Sequence, residues 1–177
     1  MAALVTGGNR GILSVIGAVV AADFLNKRGL DALPACPGRP APEAAGILRR
    51  FGLKRPLENP VWAESQVVLV GEGPPPPGVE ILAVLDARRP DALAPVCSPP
   101  PGIRPEEGCA SFLLSLYDAC GMELSRGLAG GLLCLLAAEN GLPAETSGPG
   151  TTAGRLALLA GISDPLSLAL QPPAGEK

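Results

Sequence analysis

The segment ALVTGGNRGIL, residues 3–13, places three glycines around Asn9 and Arg10 between two apolar runs. Such a turn lets backbone N–H groups approach an oxyanion, and a helix that follows directs its positive end at the same point. Gly8, Asn9, Arg10 and Gly11 are therefore anion-binding candidates within a Gly7–Gly11 loop. Asn9 and Arg10 have a plainer role as well, in a solvated turn.

The chain has no histidine, which removes the commonest general base and the commonest transition-metal ligand. Its five cysteines (Cys36, Cys97, Cys109, Cys120 and Cys134) contain no C-x-x-C pair and read as reduced core residues of a cytoplasmic protein. A net charge of −3 with scattered basic residues argues against nucleic acid. The apolar run 12–22 is too short to span a bilayer and follows a strand-like segment and a glycine turn, so it reads as a buried helix, with no membrane partner. With 47% hydrophobic residues and only 3% aromatic ones, 177 residues suffice for one core of Leu, Val, Ile and Ala.

The elements that must position these groups follow from pattern. Apolar runs at 2–6, 30–35, 66–70 and 80–85 lack polar alternation, as parallel strands buried on both faces do. Helices are expected at 12–28, ending at Gly29, and at 42–51, beginning with Pro42 and ending at Gly52. Further helices are expected at 106–120, at 125–139 with Ser125 as N-cap, and near 151–160 before Gly161. The order β-α-β-α-β predicts an α/β fold with a doubly wound, mainly parallel sheet flanked by helices. GEGPPPPG (71–78) and SPPPG (98–102) read as stiff extended connectors, and 171–177 as a flexible tail.

The opening loop resembles the dinucleotide turn of short-chain dehydrogenases at Thr6, Gly7, Gly11 and Ile12, but Leu13 replaces the last glycine. That family also needs a Tyr-x-x-x-Lys pair, whereas the only tyrosine, Tyr117, is followed four residues later by Gly121. The second strand carries no acidic residue for a ribose hydroxyl. The dehydrogenase reading fails on these grounds.

A second resemblance covers nearly the whole chain. Residues 21–59, QVVLVGEG (66–73), VEILAVLDARRP (79–90), 103–142 and SGPGTTAGRLALLAGI (147–162) resemble, in order, the N-terminal domain of manganese-dependent (family II) inorganic pyrophosphatases of the Asp-His-His (DHH) phosphoesterase superfamily. The resemblance implies a single DHH-like domain over 1–170, with the C-terminal substrate-binding (DHHA2-type) domain absent. It also implies a dinuclear Mn²⁺ site held by carboxylates and histidines, which would activate a water and clamp a phosphoryl group. The family's first motif, His-x-Asn-Pro-Asp-x-Asp, falls on residues 8–14, where Gly8, Ile12 and Ser14 replace the histidine and both aspartates. Gly71 replaces the second-motif aspartate. Asp86 is kept in the third motif, but Ala87 and Arg88 replace its histidines, and Ala138-Glu139-Asn140 stands at the fourth.

Asp86 and Glu139 are thus the remnant carboxylates of a degenerate metal site, too few to hold two cations. The expectations are no catalytic residues, no metal, no cofactor, and a pseudoenzyme acting in binding, assembly or regulation. A homodimer is expected from the resemblance, or hetero-association with another protein, including a genuine phosphoesterase. The alternative is a phosphate- or nucleotide-binding module using the Gly7–Gly11 loop, with Arg88 and Arg89, which the resemblance places in the third-motif loop, as further anion-binding candidates. The resemblance also brings Asp86 and Glu139 together as a pair able to exchange a proton as general acid and base without metal. The plainer roles are a surface pair for Arg88 and Arg89, a strand-end cap or partner of Arg88 for Asp86, and the neighbourhood of a helix C-terminus for Glu139. An active pyrophosphatase-like phosphoesterase is the remaining reading and the least supported by the residues.

Overall fold

The computed structural model describes residues 2–71, 73–86, 88–89, 92, 94, 108–140 and 151–163. Strands β1 (Ala3–Thr6), β2 (Ala32–Cys36), β3 (Leu57–Glu58), β4 (Gln66–Val70) and β5 (Glu80–Leu85) form a parallel sheet in the order β3-β2-β1-β4-β5. The helices are α1 (Ile12–Lys27), α2 (Pro42–Arg50), α3 (Cys109–Ala119), α4 (Arg126–Asn140) and α5 (Thr152–Ala160). The expected α/β architecture, a parallel sheet flanked by helices, is the one observed. From β1 the chain runs outward to β2 and β3, then returns to place β4 on the other side of β1. That reversal makes the C-terminal ends of β1 and β4 the place where open α/β sheets receive ligands.

Helix α1 has no polar face because it has no solvent face along most of its length. Residues 14–22, Phe24 and Leu25 are buried, and the helix packs on β1, β2 and β4 on one side and α2, α3 and α4 on the other. Its buried residues join those of the other four helices in one large core. A smaller cluster of Leu4, Ala35, Val67, Leu69 and Val84, with Leu33, Trp62, Val79 and Ala92 against it, lies on the alternate side chains of the strands.

The boundaries of β4 and β5 coincide with the sequence pattern, and the other described ends lie within three residues of it. Ser125 donates no turn of its own to α4 but caps it, its Oγ accepting from the Leu128 N–H at 3.3 Å. Thr151 caps α5 by accepting from Gly154 N–H at 3.1 Å, and Gly161 closes that helix in the left-handed region. Strand β3 has no sequence counterpart among the apolar runs. Its two residues are exposed and owe their strand geometry to pairing with Ala35 and Cys36. The connector 98–102 and the tail 171–177 lie outside the described residues, as do Cys97 and Ala87.

Tyr117 ties α3 to α1 through a polar contact inside an apolar interface. Its hydroxyl donates to Asp23 Oδ2 at 2.6 Å and lies 3.2 Å from the Val20 carbonyl oxygen. Its ring packs on Phe24 with centroids 5.6 Å apart, and Lys27, paired with Asp23 at 2.9 Å, lies over the same ring. Burial and the Asp23 bond raise the phenol's pKa far above its ordinary value, so it remains a donor. Tyr117→Phe should lower the unfolding free energy by about 1–2 kcal/mol, since it deletes a buried bond to a charged acceptor and keeps the ring. Urea denaturation measures this, and an unchanged midpoint would contradict the assignment.

Candidate functional site

A cleft of about 420 Å³ opens at the C-terminal ends of β1, β4 and β5. Its wall includes Gly7 and Asn9 after β1, Gly71 and Gly73 after β4, and Asp86 and Arg88 after β5. Ser14 of α1, Gly108 and Cys109 at the start of α3, and Glu139 at the end of α4 complete the polar and thiol groups. Three loops and three helix ends thus converge at the strand-order reversal.

Two of the loops meet backbone to backbone. A Cβ added to Gly73 would collide with the Gly7 carbonyl oxygen, and one added to Gly8, whose φ is +79°, would strike the carbonyl of Pro74. The Ser14 hydroxyl, buried at the first turn of α1, donates back to the Gly7 carbonyl at 2.9 Å. Gly73→Ala should therefore displace one loop from the other and destabilise the fold by about 1–3 kcal/mol, as overpacking does elsewhere. A chemical-denaturation midpoint equal to that of the parent chain would refute this close approach.

The anion-binding candidates separate in space. Asn9 and Arg88 line the cleft, whereas Gly8, Arg10, Gly11 and Arg89 are not among its lining residues. Arg10 takes part in the loop's own architecture. Its Nε donates to the Arg39 carbonyl at 2.6 Å and its own carbonyl accepts from Ala41 N–H at 2.8 Å, so it fastens the loop to the segment entering α2. Two of the loop's N–H groups are also engaged. Gly11 N–H donates to Asn9 Oδ1 at 2.8 Å, and Gly8 N–H to Thr6 Oγ1 at 3.2 Å. The Cys36 thiol donates to the Asn9 carbonyl at 3.7 Å from the β2 side.

Both carboxylates reach the cleft and both accept from backbone. Asp86 Oδ1 takes the Arg88 N–H at 3.0 Å, a short-range turn that ends the β5 excursion. Glu139 spans a greater sequence distance: Oε1 accepts from Cys109 N–H at 2.6 Å and Oε2 from Ala110 N–H at 3.2 Å. It caps α3, whose own N-cap residue, Gly108, has no side chain to do so. Desolvation raises the Glu139 pKa above its ordinary 4.5, partly offset by those two backbone bonds. The Cys109 thiol is likewise raised, by burial first and then by Glu139 and Asp86, and stays protonated.

The Glu139 shift sets a pH dependence. A carboxyl whose folded-state pKa lies above its unfolded value contributes stability that is complete below the unfolded value and declines as pH rises through the folded one. The stability difference between the parent chain and Glu139→Gln should shrink as pH rises from below 4.5 towards neutrality. Thermal melts of both proteins across that interval provide the check, and a difference that widens with pH would oppose the assigned shift.

No family model matches the chain, and no curated protein matches it. A solved structure does: that of a candidate family II inorganic pyrophosphatase from Methanococcus jannaschii, with a TM-score of 0.68 over 96% of this chain and 24% sequence identity. The fold is pyrophosphatase-like. The match takes in 60% of the other chain, so this one spans about three-fifths of its length. The similar fold raises the question of a divalent cation in the cleft. Among the described residues no group of three or more His, Cys, Asp or Glu side chains is arranged to hold one, and Asp86 and Glu139 already accept from N–H groups. The described residues do not fit a dinuclear metal centre. Tyr117, the one phenol available for dehydrogenase chemistry, is bonded to Asp23 and is not among the residues lining the cleft. Among the described residues no helix is long and apolar enough to cross a membrane.

Proposed function

We propose that this chain uses a pyrophosphatase-like α/β domain for binding and assembly and not for phosphoryl hydrolysis. The observation that carries the reading is the commitment of both cleft carboxylates to backbone N–H groups. Hydrolysis by paired cations requires several anionic or imidazole ligands converging on each ion. Here a serine bonded to Gly7, a capping glutamate and a turn-forming aspartate stand in the cleft, with an arginine beside them. The degenerate motifs of the DHH resemblance support the same conclusion. The chain acts as a single DHH-like domain, and its partner is a second copy of itself or another protein.

Elemental analysis of the purified protein, together with a pyrophosphate hydrolysis assay in Mn²⁺ or Co²⁺, tests this reading. The expected outcome is substoichiometric metal and no turnover above buffer. Stoichiometric metal with pyrophosphate hydrolysis would overturn it.

A second reading is favoured by one feature, the placement of Asn9 and Arg88 on the same cleft at the strand-order reversal. There the cleft receives a phosphate-containing ligand without hydrolysing it. Arg88 supplies the charge, and the Gly7–Gly11 turn supplies the neighbouring polar surface. Pyrophosphate or a nucleotide should then raise the melting temperature of the parent chain, and Arg88→Ala should abolish the rise while Arg10→Ala leaves it. An equal rise in parent and Arg88→Ala would remove the cleft as its site.

A further inference from the structure

The disagreement between a pyrophosphatase-like fold and the ligands actually present centres on one side chain. Glu139 is the penultimate residue of α4, thirty positions after Cys109, yet its carboxylate lies against the first turn of α3. The two N–H groups it receives, Cys109 and Ala110, belong to the set that no helix can satisfy internally. The approach is close enough that a Cβ at Gly108 would come within 2.6 Å of Oε2. The adjoining helix end and this carboxylate complement each other in charge as well, because the N-terminal end of a helix carries partial positive charge.

We infer that Glu139 is an internal ligand: its carboxylate occupies the anion-receiving first turn of α3 and is thereby withheld from any divalent cation in the cleft. Turning it towards a cation would strand both N–H groups in a partly buried position, with no side chain at Gly108 to replace it. Among the described carboxylates lining the cleft Asp86 alone would remain, with Oδ1 already accepting from Arg88 N–H, and the Arg88 side chain on the same wall opposes cation entry. The contact also holds the end of α4 to the start of α3, so it closes the cleft's helical wall without using the strands. This inference rests on the non-hydrolytic reading for its setting, but it concerns what Glu139 binds and is tested separately.

The full-length chain is compared with Glu139→Ala and Glu139→Gln by thermal denaturation in sodium formate and in sodium chloride of equal ionic strength. Free Mn²⁺ is followed in parallel by electron paramagnetic resonance. A lost cap should lower the melting temperature of Glu139→Ala by about 2–8 °C. Formate, a carboxylate small enough for the vacated position, should restore more of that loss than it adds to the parent chain. Glu139→Gln should melt below the parent, since an amide offers one acceptor oxygen where the carboxylate offers two. It carries the test if Glu139→Ala does not fold. The parent chain should leave the Mn²⁺ signal at its free intensity.

Variants that melt with the parent, or formate acting equally on Glu139→Ala and the parent, would overturn the internal ligand. So would stoichiometric Mn²⁺ binding by the parent that Glu139→Gln abolishes. Pyrophosphate hydrolysis that persists in Glu139→Gln would instead overturn the non-hydrolytic reading and leave the capping role standing.

Discussion

The burial of α1 is the constraint on which the rest of the molecule depends. A helix whose residues 14–22 are all buried must be covered on every side, and the sheet can cover only one. The remaining surface is taken up by α2, α3 and α4, with α5 packed on α4. Apolar burial is the dominant favourable term, and it is non-directional, so it determines that these helices gather on α1 without dictating their angles. Directional contacts then select one arrangement. The Tyr117–Asp23 bond holds α3 to α1, and an Arg155–Asp118 pair with two 2.8 Å bonds holds α5 to α3.

The same burial determines the shape of the cleft. Because α1 begins immediately after the glycine turn, fixing the helix fixes the turn, and the Ser14 hydroxyl is drawn to the Gly7 carbonyl. The loop after β4 must then lie on that turn, which it does with glycines on both sides of the contact. A site that could open towards a ligand is partly filled by its own backbone. The polar groups left on its wall are those that the fold already employs, Asp86 in a turn and Glu139 on α3.

How much was legible follows from the range of each interaction. The four longer strands and the five described helices are written in local apolar runs, in start signals such as Pro42 and Ser125, and in stop signals such as Gly29 and Gly161. Strand β3 is not, because its exposed Leu57 and Glu58 become strand only by pairing with β2. Arg10 reads from sequence as an anion-binding candidate. Its bond to the Arg39 carbonyl, twenty-nine residues away, is not readable there, because only the β2–α2 connection brings that oxygen to 2.6 Å from Nε. Glu139 shows a signal only in part. Its place near a helix end is readable, whereas the helix it caps is another one.

By itself the sequence determined the class of fold, the order of its helices and four longer strands, the lack of any imidazole, and two carboxylates that reach the cleft. Each of these is a matter of residue type or of spacing within one element. The tertiary structure alone decided which candidates share a wall and what already holds them. Those outcomes depend on backbone donors and acceptors that come within hydrogen-bonding distance only after the sheet and the buried helix have brought distant segments together.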